Sequence, residues 1–303
     1  MKPEVKTGAG WFGKTVLFHA VFPFLIISLF GMASAQSAEP PVAGSQIPAA
    51  EREEDAPIQD NSFLLEEAYN QEYGVVQHIS GFQRLWESKQ WAYNFTQEWP
   101  FNPRPRHQLS YTIPFLSAGD SSGNGIGDIA LNYRYQLIGD GKSRVAFAPR
   151  FSLLLPTGNH RLGRGSGAVG YQGNLPLSVA VSKKLVMHWN LGTTIVPKAK
   201  SAPGEEADTH GYNLGQSFIW LAHSQFNVMF ETVWNGSEAV VGPGQTARVH
   251  SLFINPGIRW AHNFSSGLQI VPGIAVPVGI GPSSGEKGIF LYLSFEHPFK
   301  KVQ

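Results

Sequence analysis

The sequence predicts an all-β protein, a transmembrane antiparallel up-and-down β-barrel of about 12 strands. Apolar and polar residues alternate with a period of two over residues 143–197, which places successive side chains on opposite faces of a strand. The connections between such segments alternate between short and long, as they do in bacterial outer-membrane barrels. Charged residues make up 15% of the chain, against a usual value of about 25%, as expected where the outer wall faces lipid.

Residues 1–35 are predicted to be a secretory signal peptide. Lysines precede an apolar run over residues 16–30, and small residues lead to a cleavage site after Ala35. A membrane anchor is the alternative, but Pro23 interrupts the run, which is shorter than the about 20 residues of a helical span. Since no later stretch is apolar enough for such a span, the mature chain is either a soluble periplasmic protein or a barrel.

Residues 36–61 are predicted to be a disordered acidic lead-in in the periplasm. Acidic residues greatly outnumber basic ones from Glu39 to Glu72, and prolines are frequent. A solvated tether and a docking segment for a partner are both compatible with this composition. The chain has no cysteine, which excludes a disulfide framework, and a closed barrel needs none because its strands are all paired.

A short helix is predicted over residues 62–70. Ser62 is its candidate N-cap, and Glu66 and Glu67 favour the first turns. The segment is expected to pack on the periplasmic rim, to enter the lumen as a plug, or to form only a first turn before the barrel. Its apolar stripe consists of Leu64, Leu65, Ala68 and Tyr69.

About twelve strands follow, and their even number returns both termini to the periplasm. Connections on the periplasmic side are predicted to be short. Those on the outer side are predicted to be long, including residues 158–170, 198–210 and 235–246. The strands are expected near residues 75–84, 90–99, 106–115, 126–138, 143–155, 170–182, 185–197, 211–221, 225–234, 247–261, 267–279 and 287–299.

Aromatic residues are placed as an outer-membrane barrel requires. Trp91 and Trp99 lie eight residues apart on one face, and Tyr212 and Trp220 repeat that spacing. Eight residues of tilted strand cover roughly 20 Å of depth, close to the apolar band of about 25 Å. These residues therefore predict interfacial girdles against outer-membrane lipids. An aromatic residue near the end of the last strand resembles the signal read by the barrel-insertion machinery.

Two prolines lie well inside predicted strands. Pro149 and Pro272 both fall on the outward face. A proline removes a ladder hydrogen bond, and a closed barrel has no edge strand to hold it. We therefore expect a β-bulge at each.

Five segments of the chain carry a resemblance to a known family. They are FLLEEAYNQE at 63–72, GVVQH at 74–78, GDIALNYRY at 127–135, FSLLLPTG at 151–158 and QGNLPLS at 172–178. Together they resemble a family of outer-membrane barrels that is grouped with the phenol meta-pathway proteins and assigned a transport role. The resemblance covers roughly residues 61–299, and it implies a barrel architecture and passage of a solute, but no site residue.

Charged residues on the predicted inward face are the candidate pore-lining residues. An unpaired charge in an apolar core costs many kcal/mol, so each needs water or a partner. Either they line a polar lumen and set solute preference, or they pair across a closed barrel. They are Glu98, Asp128, Arg134, Arg150, His188, Glu231, Arg259 and Glu296.

Other chemistry finds less support in the sequence. His78 and Ser80 share a face, as an outer-membrane lipase would need, but spacing identifies no acid orienter and no oxyanion site. The remaining histidines are scattered, so we predict no metal site, and no motif indicates a cofactor or nucleic acid. Arg161 and Arg164 in an outer loop could contact lipopolysaccharide phosphates.

The leading hypothesis is therefore a non-enzymatic outer-membrane barrel for passive passage of a small solute, hydrophobic solutes included. The alternatives are an outer-membrane lipid-modifying enzyme and a structural barrel that displays surface loops.

Overall fold

The computed structural model describes residues 62–101, 106–119, 123–264 and 268–298. The predicted signal peptide and acidic lead-in lie outside these residues. The described chain forms a closed antiparallel β-barrel of 12 strands, as predicted. Among the described residues, no helix is long and apolar enough to cross a membrane.

Each strand of the barrel pairs with its neighbours in chain order, and five strands are interrupted. We number them β1 (Val75–Leu85), β2 (Trp91–Pro100), β3 (His107–Ser117), β4 (Gly125–Ile126 and Ile129–Tyr135), β5 (Val145–Phe147 and Arg150–Leu155), β6 (Gly170–Asn174 and Leu177–Ser182), β7 (Leu185–Lys200), β8 (Glu206–His223), β9 (Phe226–Gly242), β10 (Gln245–Trp260, continued by His262–Asn263), β11 (Gln269–Ala275 and Val278–Gly279) and β12 (Gly288–Pro298).

The first and last strands close the barrel. Gly81 in the middle of β1 lies opposite Asn94 of β2 on one side and Tyr292 of β12 on the other. The β1–β12 ladder runs without a break from Val75↔Pro298 to Leu85↔Gly288. Closure therefore leaves no free sheet edge among the described strands, and lipid offers no partner for such an edge.

The alternation read from the sequence separates an apolar outer wall from a polar interior. In β5, Phe151 is 51% exposed, whereas its neighbours Arg150 and Ser152 are buried. Tyr212 and Trp220, two of the predicted girdle residues, are also exposed. Side chains that face lipid are apolar because the bilayer offers no hydrogen-bond partner. Further exposed members of the outer wall are Leu109, Leu131, Tyr171, Leu214, Phe230, Ile258, Leu291 and Leu293.

Two of the predicted long outer loops are instead strand. β7 to β10 are 16 to 18 residues long, so the β7–β8 connection is short and the β9–β10 turn contains only residues 243–244. Directly opposed residues continue the β9–β10 ladder through the predicted loop. Glu238 and Arg248 form one such pair, and their side chains are joined by a 2.7 Å ion pair. Cross-strand pairing, which a local pattern does not reveal, extends these hairpins.

Both prolines lie at breaks in pairing, but neither adds the extra residue of the predicted bulge. Pro149 separates the two segments of β5, and the pairing with β6 keeps its register from Phe147↔Leu177 to Arg150↔Asn174. Pro176 and Pro277 interrupt β6 and β11 in the same way. Pro272 is different, because it stays in an unbroken ladder opposite Leu293 of β12. On its other side, the ladder with β10 is interrupted at Pro272: it runs to Arg259↔Gly273 and resumes in the same register at His262↔Ile270, so no extra residue is inserted there.

The predicted helix at residues 62–70 is wrong. These residues have no helical turn, and the segment lies inside the barrel as an irregular, extended chain. Its backbone N–H groups are hydrogen bonded to side chains of the barrel wall rather than to carbonyls one turn back. An α-helix rises only about 1.5 Å per residue and could not span the same stretch of wall.

Candidate functional site

The candidate site is the lumen wall together with residues 62–72, which we call the inserted segment. The segment follows the inner wall strand by strand before it enters β1. Its contacts begin at Glu231 on β9, continue through Asn190 on β7 and Ser178 on β6, and end at Gln108 on β3. It thus winds around much of the inner circumference.

All of these anchors lie toward one end of the barrel. Gln108 is the second residue of β3, Ser178 is four residues before the end of β6, and Glu231 is the sixth residue of β9. The same end carries the short Lys183–Lys184 turn and the chain's entry into β1, and the sequence assigns it to the periplasm. The inserted segment therefore narrows the lumen toward this end of the barrel.

Side chains of the wall satisfy the backbone of the inserted segment. Six of its backbone N–H groups donate to wall side chains, and three of its carbonyls accept from them. Asn190 and Gln136 each act in both directions, because an amide side chain carries both a donor and an acceptor. Buried backbone groups need such partners, so this polar wall is what allows an irregular chain to lie within the barrel.

Glu66 is the centre of an ionic cluster on the wall. Its Oε1 lies 2.8 Å from Nε of Arg150, and its Oε2 lies 3.3 Å from a terminal nitrogen of Arg134. Asn174 also donates to Oε2 at 3.0 Å. Both arginines are buried, so the carboxylate offsets part of their desolvation cost.

Two further carboxylates surround Arg134. Glu67 of the inserted segment lies 3.5 Å from it, and Glu98 on β2 lies 3.8 Å away while accepting a 2.7 Å hydrogen bond from Gln108. Burial raises the pKa of the Glu67 carboxyl to about 7, although attraction to Arg134 acts in the opposite direction. The cluster thus combines crowded carboxylates with a shared guanidinium.

The start of the inserted segment is held by a carboxylate and an aromatic contact. Glu231 accepts from the backbone N–H groups of Phe63 and Leu64 at 2.9 and 3.1 Å, and from Asn255 at 2.8 Å. The Phe63 ring packs 5.6 Å from Phe290 and 5.4 Å from Tyr292, measured between ring centroids. These contacts belong to the apolar part of the lumen.

Glycines make room for the inserted segment. A Cβ on Gly257 or on Gly273 would lie 2.6 Å from the Phe63 ring. A Cβ on Gly215 would lie 2.2 Å from a methyl carbon of Leu65. Both distances are shorter than a carbon–carbon contact, so the absence of a side chain is required at these wall positions.

The eight predicted lumen residues are placed as follows. Glu98, Arg134 and Arg150 come together in the Glu66 cluster. His188 is fully buried on β7, with Nδ1 2.6 Å from the Ser178 hydroxyl that accepts from Ala68. Glu231 holds the start of the segment, Arg259 is fully buried on β10, and Glu296 accepts from Gln77 of β1 at 2.9 Å.

Asp128, the last of the eight predicted lumen residues, lies apart from the inserted segment. It accepts from the backbone N–H groups of Gly158 at 3.0 Å and Ser166 at 2.7 Å, and from the Ser166 hydroxyl at 2.6 Å. It therefore ties down the loop of residues 156–169 at the opposite end of the barrel. Arg164 in this loop donates to the carbonyl of Asn124, while Arg161 is exposed.

The candidate lipase pair lies on the lipid-facing wall. The His78 ring stacks 4.6 Å from Phe295 and 6.1 Å from Phe95. The Ser80 hydroxyl is hydrogen bonded to the Tyr93 hydroxyl at 3.0 Å. Within the residues that the structure describes, no group of three or more His, Asp or Glu side chains could hold a metal ion.

The sequence analysis missed several residues of the site. Glu66 was assigned to a helix, and the amide side chains of Gln108, Gln136, Asn174 and Asn190 were not singled out. Their inward position follows from the same alternation that placed the charged residues inside. A count of uncharged polar residues on the inward face could have found them.

No protein-family model matches the sequence, and no curated protein matches it. Solved structures match the fold. An outer membrane channel from Pseudomonas putida F1 is 14% identical, with 76% of this chain and 97% of that chain covered and a TM-score of 0.55. The NanC porin is 8% identical, with 72% and 98% covered and a TM-score of 0.49. At these identities the likeness concerns the fold, which is that of outer-membrane barrels.

Proposed function

We propose that this protein is an outer-membrane channel for the passive passage of a small solute, and that the inserted segment is its closure. The observation that carries the proposal is the polar lumen wall, on which buried arginines, carboxylates and amides hold a chain segment that is not part of the wall. The fold shared with the Pseudomonas putida channel supports the barrel, and the resemblance of the sequence to the phenol meta-pathway family supports the transport role.

A purely structural barrel would have little use for this interior. Burying an ion pair costs several kcal/mol of desolvation per ion, and apolar residues of similar volume often stabilise a fold as well or better. Here Arg134, Arg150 and Arg259 are all at most 8% exposed. Such a wall is suited to a lumen that exchanges its contents, because the polar groups can be satisfied by the inserted segment, by water or by a solute.

The test is conductance of the refolded mature chain in a planar bilayer. A variant that lacks residues 62–72 should show larger or more frequent conductance steps than the unmodified chain. His78→Ala, on the outer wall, is the matched control and should behave like the unmodified chain. A heat-modifiable, folded deletion variant that stays silent would contradict the proposal.

The same variants address the lipid enzyme. Phospholipid hydrolysis by the unmodified chain that is lost in His78→Ala would favour it.

On the outer surface, we propose the exposed Arg161 as a contact for lipopolysaccharide phosphates, with Arg164 maintaining the loop.

A further inference from the structure

We propose that Arg134, Arg150 and Asn174 form a carboxylate-binding site on the lumen wall, that Glu66 occupies this site in the closed barrel, and that the solutes of the channel are small amphiphilic carboxylates. The inference rests on the proposed passage of a solute through the lumen. It assigns the inserted segment a second role, that of an internal mimic of the solute.

The donor set fits a carboxylate group and both of its oxygens. One oxygen of Glu66 faces Nε of Arg150 at 2.8 Å, and the other faces Arg134 at 3.3 Å and the Asn174 amide at 3.0 Å. Guanidinium groups bind carboxylates through such short, charge-assisted contacts. The recognition involves only the carboxylate, so a free acid could make the same contacts.

Wall side chains and the backbone of the inserted segment hold this site in shape without the Glu66 side chain. The terminal nitrogens of Arg150 donate at 2.7 Å to Asn132, to Ser152 and to Gln172. Arg134 donates to the Tyr69 carbonyl at 2.7 Å. Because these bonds fix the guanidinium groups, a ligand would not have to order them, and preorganisation of this kind favours binding.

Apolar groups lie on either side of Glu66 along the segment. Leu65 packs on the bare backbone of Gly215, and the buried Ala68 and Tyr69 form an apolar cluster with two alanines of β5. A ligand that places its carboxylate at the arginines would thus bring its other end against apolar surface. This arrangement favours an acid with a short alkyl or aromatic group over an ion such as phosphate.

Exchange of a solute for Glu66 requires movement of one side chain only. The Glu66 side chain is 15% exposed, more than either arginine, while its backbone stays bound to Asn190 in both directions. A group tethered by a short flexible linker has an effective concentration in the millimolar range. A free carboxylate should therefore compete at millimolar concentrations or above.

Chemical rescue tests the site directly. Glu66→Ala removes the side-chain carboxylate and leaves space for a small acid. Calorimetry on the folded barrel in detergent should show propionate binding at least about tenfold more tightly to Glu66→Ala than to the unmodified chain, because the tethered competitor is gone. Propionamide should not bind, and addition of Arg150→Gln should abolish propionate binding.

Glu72→Ala is the matched control. It removes the same charge from an exposed position of the inserted segment and should leave propionate binding unchanged. If Glu66→Ala does not give a heat-modifiable, folded barrel, Glu66→Gln replaces it, since it keeps the volume and loses the charge. A folded variant that binds propionate no better than propionamide would overturn the inference.

Permeation separates this inference from the proposed function. In liposome-swelling assays, benzoate should enter through Glu66→Ala faster than benzamide of nearly the same size. Binding without passage, even in the variant that lacks residues 62–72, would refute the channel and keep the site. Passage with no preference for benzoate would keep the channel and refute the solute class.

Discussion

Replacement of Gly273 by alanine should displace Phe63 and loosen the start of the inserted segment. The new Cβ would lie 2.6 and 2.9 Å from two ring carbons of Phe63 and 3.1 Å from Cβ of Arg259. The ring cannot simply rotate away, because Gly257, Phe290 and Tyr292 contact it from other directions. The side chain of Phe63 must therefore move toward the lumen.

The size of the effect follows from the cost of overpacking. An extra methyl group in a well-packed interior typically costs about 1–3 kcal/mol. At about 1.4 kcal/mol per factor of ten, release of the segment should become roughly 5- to 140-fold more frequent. Open probability in a planar bilayer measures this directly, and chymotrypsin cleavage near Tyr69 in the folded barrel measures it independently.

Gly173→Ala is the matched control for this substitution. Gly173 is also a strand glycine, and a Cβ at that position would meet nothing within 4 Å. It should leave open probability and cleavage unchanged, and the double variant Gly273→Ala, Phe63→Ala should show no added effect of the glycine change. Equal behaviour of Gly273→Ala and Gly173→Ala in a folded barrel would refute the packing argument.

Three further predictions concern the polar contacts. Ser178→Ala should leave a buried N–H of the inserted segment unpaired, at about 1–3 kcal/mol, and hydrogen exchange at that amide should accelerate accordingly. Asp128→Asn should free the loop of residues 156–169, so trypsin should cleave there faster while the barrel stays heat-modifiable. Burial raises the pKa of Glu67 from 4.5 in the exposed state to about 7 in the docked state. The protonated carboxyl therefore stabilises docking of the segment fully below about pH 4.5, and this stabilisation is lost as the pH rises through 7. Open probability should increase from about pH 6 to about pH 8, and Glu67→Gln should make it less dependent on pH.

Each of these predictions has a result that would contradict it. Unchanged exchange in Ser178→Ala would mean that the segment finds another acceptor. Unchanged trypsin cleavage in Asp128→Asn would mean that the loop is held by other contacts. An open probability that falls with rising pH would show that Glu67 is not protonated in the docked segment.

The period-two alternation determined much of the fold from sequence alone. It placed Phe151 outside and Arg150 inside, and it identified the charged residues of the lumen wall, because the direction of a side chain in a strand depends only on its neighbours in the chain. The even number of predicted strands and the predicted signal peptide also indicated an outer-membrane barrel. Local turn chemistry also located short connections such as Lys183–Lys184.

The tertiary structure decided what lies within the barrel. The short segment at residues 62–70 has the composition of a helix, yet wall side chains take its backbone hydrogen bonds, and Glu66 meets arginines 68 and 84 positions away. No local pattern carries that information, because it depends on the register of the closed sheet and on which wall positions are glycine. Asp128 is a second example. Alternation predicted that it faces inward, but its role in holding a loop depends on residues 30 and 38 positions farther along the chain.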